Sequence, residues 1–403
     1  MKVEGVEVHM QLASNFFMAL LVFFIQPTFL IGLILAIGTG YKRIKNERTN
    51  LRVAIYKKLY EIKNYLLLGL IAGLIGSLLS IGIGMPVTLD WIIIYQLVVF
   101  LVLLAGYRFV HPLFTFSLTT LLLLGAMHMK NAMVIDWLPK NWYQPLSQVK
   151  WVNSNLITTT LLLIVFLLII SALTLNKHAI KKLSPHFLKT KRGKKVARYQ
   201  IKPFWVIPLL LVIPGESFGA FFDWWPVFSL GNQTYSFFWL PVLVGFRFTV
   251  QAQLPSEALR LMTRECFILA IVVAAAAIGS IWSMYSGIAG LGIAVIGGLF
   301  VLYRHRQREN KHSFLFGPTD NGLKVIGIHP ETPAEKMGVA VGDTLVSCND
   351  EEIRTEEDFY RALSKNSVYC HLKIKGPDGE LRLAESALYA DTPHEIGLVL
   401  LSN

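Results

Sequence analysis

Charge is what this chain has least of. Asp, Glu, Lys and Arg make up 16% of its 403 residues, against 54% apolar residues. That poverty excludes a single solvated globule and points to several membrane-buried segments. Acid is scarcest before the C-terminus: residues 313–403 hold 15 Asp/Glu and 8 Lys/Arg, net −7, which leaves +19 on the remainder and +12 overall. Only three cysteines occur, Cys266, Cys348 and Cys370, without metal-ligand spacing or an obvious pairing. The N-terminus, MKVEGVEVHMQ, lacks a basic n-region and a small-residue cleavage site, so the first hydrophobic segment is expected to be retained. H-E-x-x-H, a Walker loop, G-x-G-x-x-G and a basic stripe with interleaved aromatics are all missing. Zinc proteolysis, nucleotide cradling and nucleic-acid readout therefore have no motif to rest on, and neither metal nor cofactor is expected.

Long hydrophobic runs are abundant. They lie at about 13–40, 65–85, 88–106, 109–127, 152–175, 204–222, 235–251, 266–283 and 285–303. The first is broken by Pro27, and the sixth, with Pro208 and Pro214, is expected to be irregular or re-entrant. The fold class expected is a polytopic α-helical membrane protein of eight or nine spans over 1–312, followed by a soluble α+β domain over 313–403. Loop 41–63 carries eight Lys/Arg against two Glu, and loop 177–202 carries ten Lys/Arg and no acid. Arg304, Arg306, Arg308 and Lys311 follow the last run. Excess Lys/Arg marks the cytoplasmic side, so nine spans place all three basic segments and the C-terminal domain there, with the N-terminus outside. Loop 128–150, with Trp137, Trp142 and nearby Trp151, is expected outside. The 177–202 cluster sets topology and can also bind anionic lipid, at about 1 kcal/mol per basic residue near the surface.

Small residues recur at helix-packing intervals, as in Gly69-x-x-x-Gly73, Ala274 to Ala277, and Gly290, Ala294, Gly298. A faint echo links FIQPTF at 24–29 with FVHPLF at 109–114, the trace a duplicated membrane unit would leave.

Gly322 to Ile353 reads GLKVIGIHPETPAEKMGVAVGDTLVSCNDEEI. A strand with Val325 and Ile328 meets a turn with Pro330 and Pro333, then a helical turn ending at Gly338. Gly342-Asp343 opens a second strand, Asn349-Asp350 a further turn, and Thr355 can cap a helix over Glu356 to Ser364. This pattern resembles the PDZ family in its bacterial form, with Thr, Met and Asp where the motif has Ser, Ala and Gly. The resemblance implies a module that adds an extended peptide as a strand and holds its carboxylate on backbone N–H groups. The stretch around Ile396, Gly397, Leu398, Val399 and Leu400 is similar to the carboxylate loop and strand of permuted PDZ domains. Tyr360 and Leu363 are the candidate groove residues on the helix. The same stretch also reads as a plain last core strand.

Gly215-Glu216-Ser217-Phe218-Gly219 spells G-x-S-x-G, yet every histidine after it lies beyond the final apolar run, so Ser217 lacks a base and no catalytic residue is assigned. A Pro-Gly break allowing close helix approach is the simpler reading. Glu216 is an ionisable group within an apolar segment, which reads as a site, a headgroup-level residue or a neutral backbone partner.

Many spans followed by one PDZ-like module, together with FFIQPTFLIGLILAIGTGYKRIKNER near the N-terminus, is similar to the MinJ-like family of cell-division topology proteins of Bacillus-type rods. The resemblance implies a non-enzymatic adaptor at septa and poles that links a DivIVA-like scaffold to a MinD-like ATPase carrying the inhibitor MinC, alongside other divisome membrane proteins. A PDZ-bearing membrane protease, or a regulator of one, and a transporter using Glu216 are the other readings of the same spans.

Overall fold

The computed structural model describes residues 17–401 except 52–53, 57–58, 130–153, 179–182, 191–192, 232–233, 320–321, 367 and 388–395. The expectations for loop 128–150 and for residues 1–16 lie outside these. Helices α1 (Phe17–Ile25) and α2 (Pro27–Leu51) meet at 50° where Pro27 follows Gln26. Then come α3 (Tyr60–Leu67), α4 (Leu70–Ile83), α5 (Leu89–Ala105), α6 (Pro112–Met129) and α7 (Ser154–His178). Strands β1 (Pro185–Lys189), β2 (Lys195–Ile201), β3 (Phe204–Gly219), β4 (Thr234–Gly245) and β5 (Phe248–Val250) follow, before α8 (Pro255–Gly279) and α9 (Met284–Lys311). The remainder is β6 (Leu323–Ile328), α10 (Pro333–Lys336), β7 (Thr344–Cys348), β8 (Glu351–Glu352), α11 (Glu356–Ser364), β9 (Tyr369–Lys375), β10 (Leu381–Ala387) and β11 (Leu398–Leu401).

Among the described residues, four helices are long and apolar enough to cross a membrane (Tyr60–Ile83, Ser154–Lys177, Pro255–Gly279, Met284–Lys311), and the bent α1–α2 pair makes a fifth. Helices α5 and α6 are apolar but shorter. The expected sixth and seventh spans are not helices. They form the hairpin β3–β4, whose inward residues are almost all buried among the helices. The reason lies in the prolines. Each would cost a helix interior about 3 kcal/mol. In the hairpin, Pro208 opposes Pro241 and Pro214 opposes Tyr235. These positions share the phase of Leu210 and Leu243, whose N–H groups point out of the hairpin toward the helices. A proline there removes a donor that would otherwise need a partner in an apolar interior.

Several of the other outward backbone groups are met individually. Ser77 Oγ accepts from Leu210 N at 2.8 Å, and Val87 N donates to Val212 O at 2.9 Å. Tyr95 Oη accepts from Leu243 N and donates to Pro241 O, both at 3.3 Å. Gln26 Nε2 donates to Trp239 O at 2.6 Å while its Oε1 accepts from Gln96 Nε2, and Gln96 Oε1 in turn accepts from Thr28 N at the start of α2. Gly245 N donates to Val110 O at 2.5 Å. The two echoing pre-proline breaks, at Gln26 and at Val110–His111, thus both lie against β4. Gly69, just before α4, and Gly73 within it face β3: a Cβ at either would overlap the carbonyl oxygen of Val206 or Pro208. Close approach at Gly69 and Gly73 is intramolecular, and its partner is a strand and not the helix that the spacing suggested.

One end of the assembly gathers the hairpin tip with the ends of several helices. Val227 N donates to Ile83 O, Asn155 Nδ2 to Ser229 O, and Thr158 bonds Ser280. The opposite end gathers the basic segments and the C-terminal elements.

Removing the Ser77 hydroxyl leaves Leu210 N–H unpaired in an apolar setting. Ser77→Ala should lower stability by about 1–3 kcal/mol. Gly73→Val should cost more, by driving α4 off β3. Thermal unfolding of the detergent-purified protein reads both effects.

Candidate functional site

The C-terminal sheet runs β10-β9-β7-β6-β11, with β8 on β7, so β11 is an edge strand. Leu323, Val325, Leu345, Phe359, Ala362, Leu372 and Leu400 fill its core. Helix α11 begins with a reciprocal cap, in which Thr355 Oγ1 accepts from Asp358 N and Asp358 accepts from Thr355 N. Its apolar spacing buries Phe359, Ala362 and Leu363 and leaves Tyr360 42% exposed.

Leu398 of β11 pairs with Ile328 of β6, and His329 N donates to Gly397 O at 2.7 Å. That bond makes Leu398–Ile328 a non-hydrogen-bonded pair, so the N–H and C=O of Leu398 point away from β6 toward the sheet's edge. An edge strand with outward backbone groups is what strand addition requires. Just before it, Ile396 O accepts from Ala334 N at the start of α10. Gly397 has φ +89°, and a Cβ there would overlap Thr332, so only glycine suits this turn. The stretch 396–400 is thus both a core strand, through Ile396 and Leu400, and a sheet edge, through Leu398. Glu395 lies outside the described residues.

The sequence did not reveal how this sheet is mounted. Segment 177–202 is not simply a basic loop; its described part forms the ribbon β1–β2, extended by β5. Alternation along β2 turns Ala197 and Tyr199 to one side, where they pack with Phe316, Ile326 and Leu401. Tyr199 Oη donates to Ile326 O at 2.6 Å, and burial pushes its phenol pKa well up. Ala197 N donates to Phe316 O and Leu315 N to Gln251 O. Helix α9 joins the mount through Glu309, whose buried carboxylate accepts from Gln251 N, Ala252 N and Gln253 Nε2 at 2.6–2.9 Å. Ile55 lies against Gly327, while burial and the Glu47 and Glu335 carboxylates push the Tyr56 phenol up to about 12. The period-two pattern in Lys195–Ile201 was the signal that the charge of the segment concealed.

The G-x-S-x-G stretch sits in neither a strand–helix elbow nor a helix break. It forms the irregularity in β3 between Pro214 and Phe218, near the hairpin tip. Ser217 Oγ lies 2.7 Å from Ser236 Oγ, and Glu216 is exposed. The described histidines lie elsewhere: His111 Nδ1 accepts from Leu113 N, and His305 Nε2 meets Thr249 O at the opposite end. No group of three or more His, Cys, Asp or Glu side chains able to hold a metal occurs among the described residues. Cys266, Cys348 and Cys370 are buried and free.

Residues 324–375 match the family model of a PDZ domain. Over 388 residues, 94% of each chain, the protein is 28% identical to the cell division topological determinant MinJ of Bacillus subtilis (strain 168). It is 24% identical over 396 residues to the probable cell division topological determinants MinJ of Lacticaseibacillus paracasei and Lacticaseibacillus casei (strain BD-II), covering 95% of this chain and 97% of each relative. The similarity therefore takes in the apolar helices as well as the PDZ domain.

Gly397→Ala should destabilise the C-terminal sheet by more than about 1 kcal/mol, from the left-handed backbone alone. Faster proteolysis of the full-length chain within 323–401 is the expected reading.

Proposed function

We propose that this homologue of cell division topological determinants is a membrane-anchored adaptor in division-site selection, one that binds other proteins and catalyses nothing. The observation that carries the reading is similarity along nearly the whole chain, helices and PDZ domain together. The chain crosses the membrane nine times, with the sixth and seventh passages made by β3 and β4. At about 3.3 Å per residue, 16 and 12 residues exceed an apolar layer of about 30 Å. Two strands keep the parity two helices would have had, so loop 41–63, the β1–β2 ribbon and the end of α9 share the cytoplasmic side, supported by their Lys/Arg excess. Residues 1–312 form the membrane unit and 313–403 the cytoplasmic PDZ unit.

The edge of β11 at Leu398–Leu400, the turn at Ile396–Gly397 and the face of α11 with Tyr360 and Leu363 are the peptide groove. The net −7 of residues 313–403 favours basic partners and holds the domain off anionic lipid. The partners are a DivIVA-like polar scaffold and a MinD-like ATPase with its inhibitor MinC. Confinement to the membrane plane raises effective concentration, so a weak groove suffices.

A fluorescent fusion at native level should concentrate at septa and poles. An even membrane distribution would count against division-site selection. Tyr360→Ala, at an exposed groove position, should weaken co-purification of the ATPase or scaffold several-fold while membrane insertion is kept. Unchanged co-purification would locate binding outside the groove.

A further inference from the structure

A cavity outside the PDZ domain lies between α2, α3, the end of α7 and the β1–β2 ribbon, and holds about 130 Å³. We propose that it binds a phosphate-bearing anion, the headgroup of a net-anionic membrane lipid, through Lys42 and Lys202 of its lining, with Arg198, opposite His186 on the same ribbon, adding charge beside them. The lipid source rests on the reading that this face is the inner membrane surface.

The geometry is set by the alternation that also mounts the PDZ domain. Ala197 and Tyr199 take the PDZ side of β2, so Arg198 and Gln200 take the other, and His186 stands opposite Arg198 on β1. Gln200, His186 and Lys202 line the cavity, with Lys42 and Asn46 supplied by α2. One carboxylate, Glu61, belongs to the lining, and it is paired within that lining with Arg43, which bonds it through two nitrogens and bonds Glu47 through a third at 3.1 Å, leaving Lys42 and Lys202 as the excess charge. The Nε of Arg198 is buried without a hydrogen-bond partner among the described residues. Burial, together with Arg247, Lys42 and Arg198, lowers the Lys202 ammonium pKa to about 8, which registers a positive potential at that point. Burial and the Lys202 and Arg198 charges likewise lower the His186 pKa. Like charges gathered in a half-desolvated cavity are relieved by an anion, and phosphate oxygens suit Lys and Arg donors. The same lining includes apolar side chains, Leu68, Leu175 and Phe204. Inorganic phosphate matches only the polar part of that lining, whereas a lipid matches both parts.

The test uses the full-length protein in neutral detergent, with phosphatidylglycerol, phosphatidylcholine or inorganic phosphate added. Phosphatidylglycerol should raise the unfolding temperature of the wild type by several degrees and remain bound in native mass spectrometry. Retention should fall at least fivefold in Lys42→Gln/Lys202→Gln, while the exposed control Lys365→Gln behaves as wild type. Stabilisation by millimolar inorganic phosphate equal to that by phosphatidylglycerol, lost in the same double variant, would keep the anion site and overturn the lipid source. Equal retention of phosphatidylglycerol by wild type and double variant would overturn the site, as would equal retention of both lipids with no response to phosphate. Should the double variant unfold, Lys42→Gln alone carries the comparison, since Lys42 is exposed on α2.

Discussion

A hairpin surrounded by apolar helices has two open edges, and every peptide group on them needs a partner or must lack a donor. That constraint organises the first three hundred residues. It explains why Pro208, Pro214 and Pro241 fall at outward positions, why Ser77, Tyr95 and Gln26 sit where they do, and why α4 presents glycine to β3. Helices supply their own hydrogen bonds in an apolar medium; a lone ribbon cannot, so its neighbours must. The bend between α1 and α2 belongs to the same solution, because it brings Gln26 to Trp239 O and lets Gln96 serve the first turn of α2.

The second organising feature is a strand with two audiences. One side of β2 is apolar and grips the PDZ sheet, and the other is polar and faces a cavity beside the helices. Strand alternation separates these roles by a single residue step, so a charged segment can also be a structural one. Glu309 adds a buried carboxylate satisfied by three donors, which fixes the end of α9 to the turn before α8.

The PDZ elements were the most legible part of the sequence, since their turns are written in Gly, Pro, Asn and Asp at fixed intervals. Gly342, Asn349 and Asp350 take the positive φ their turns demand, and Thr355 caps its helix. Gly397 was also readable, though that its strand is at once the sheet's edge and part of the core, through Ile396 and Leu400, is visible only in the strand order. The hairpin was not legible. A mostly apolar run of sixteen residues with two prolines looks the same as a kinked span to hydropathy, and the decisive fact, which groups satisfy the backbone, belongs to distant helices. The mount was hidden for a different reason: ten basic residues in 177–202 drew attention from Ala197 and Tyr199 between them.

Helix α9 runs without interruption to Lys311, and by Leu315 the chain is already bonded to Gln251. The PDZ domain is therefore bracketed, not tethered. A tethered module sweeps a hemisphere, whereas a bracketed one holds its sheet edge at a single elevation and bearing relative to the helices. In the adaptor proposed above, selectivity would then come from stature: a protein whose tail reached that level at that angle would be captured, and one with the same tail on a taller or shorter stalk would pass by.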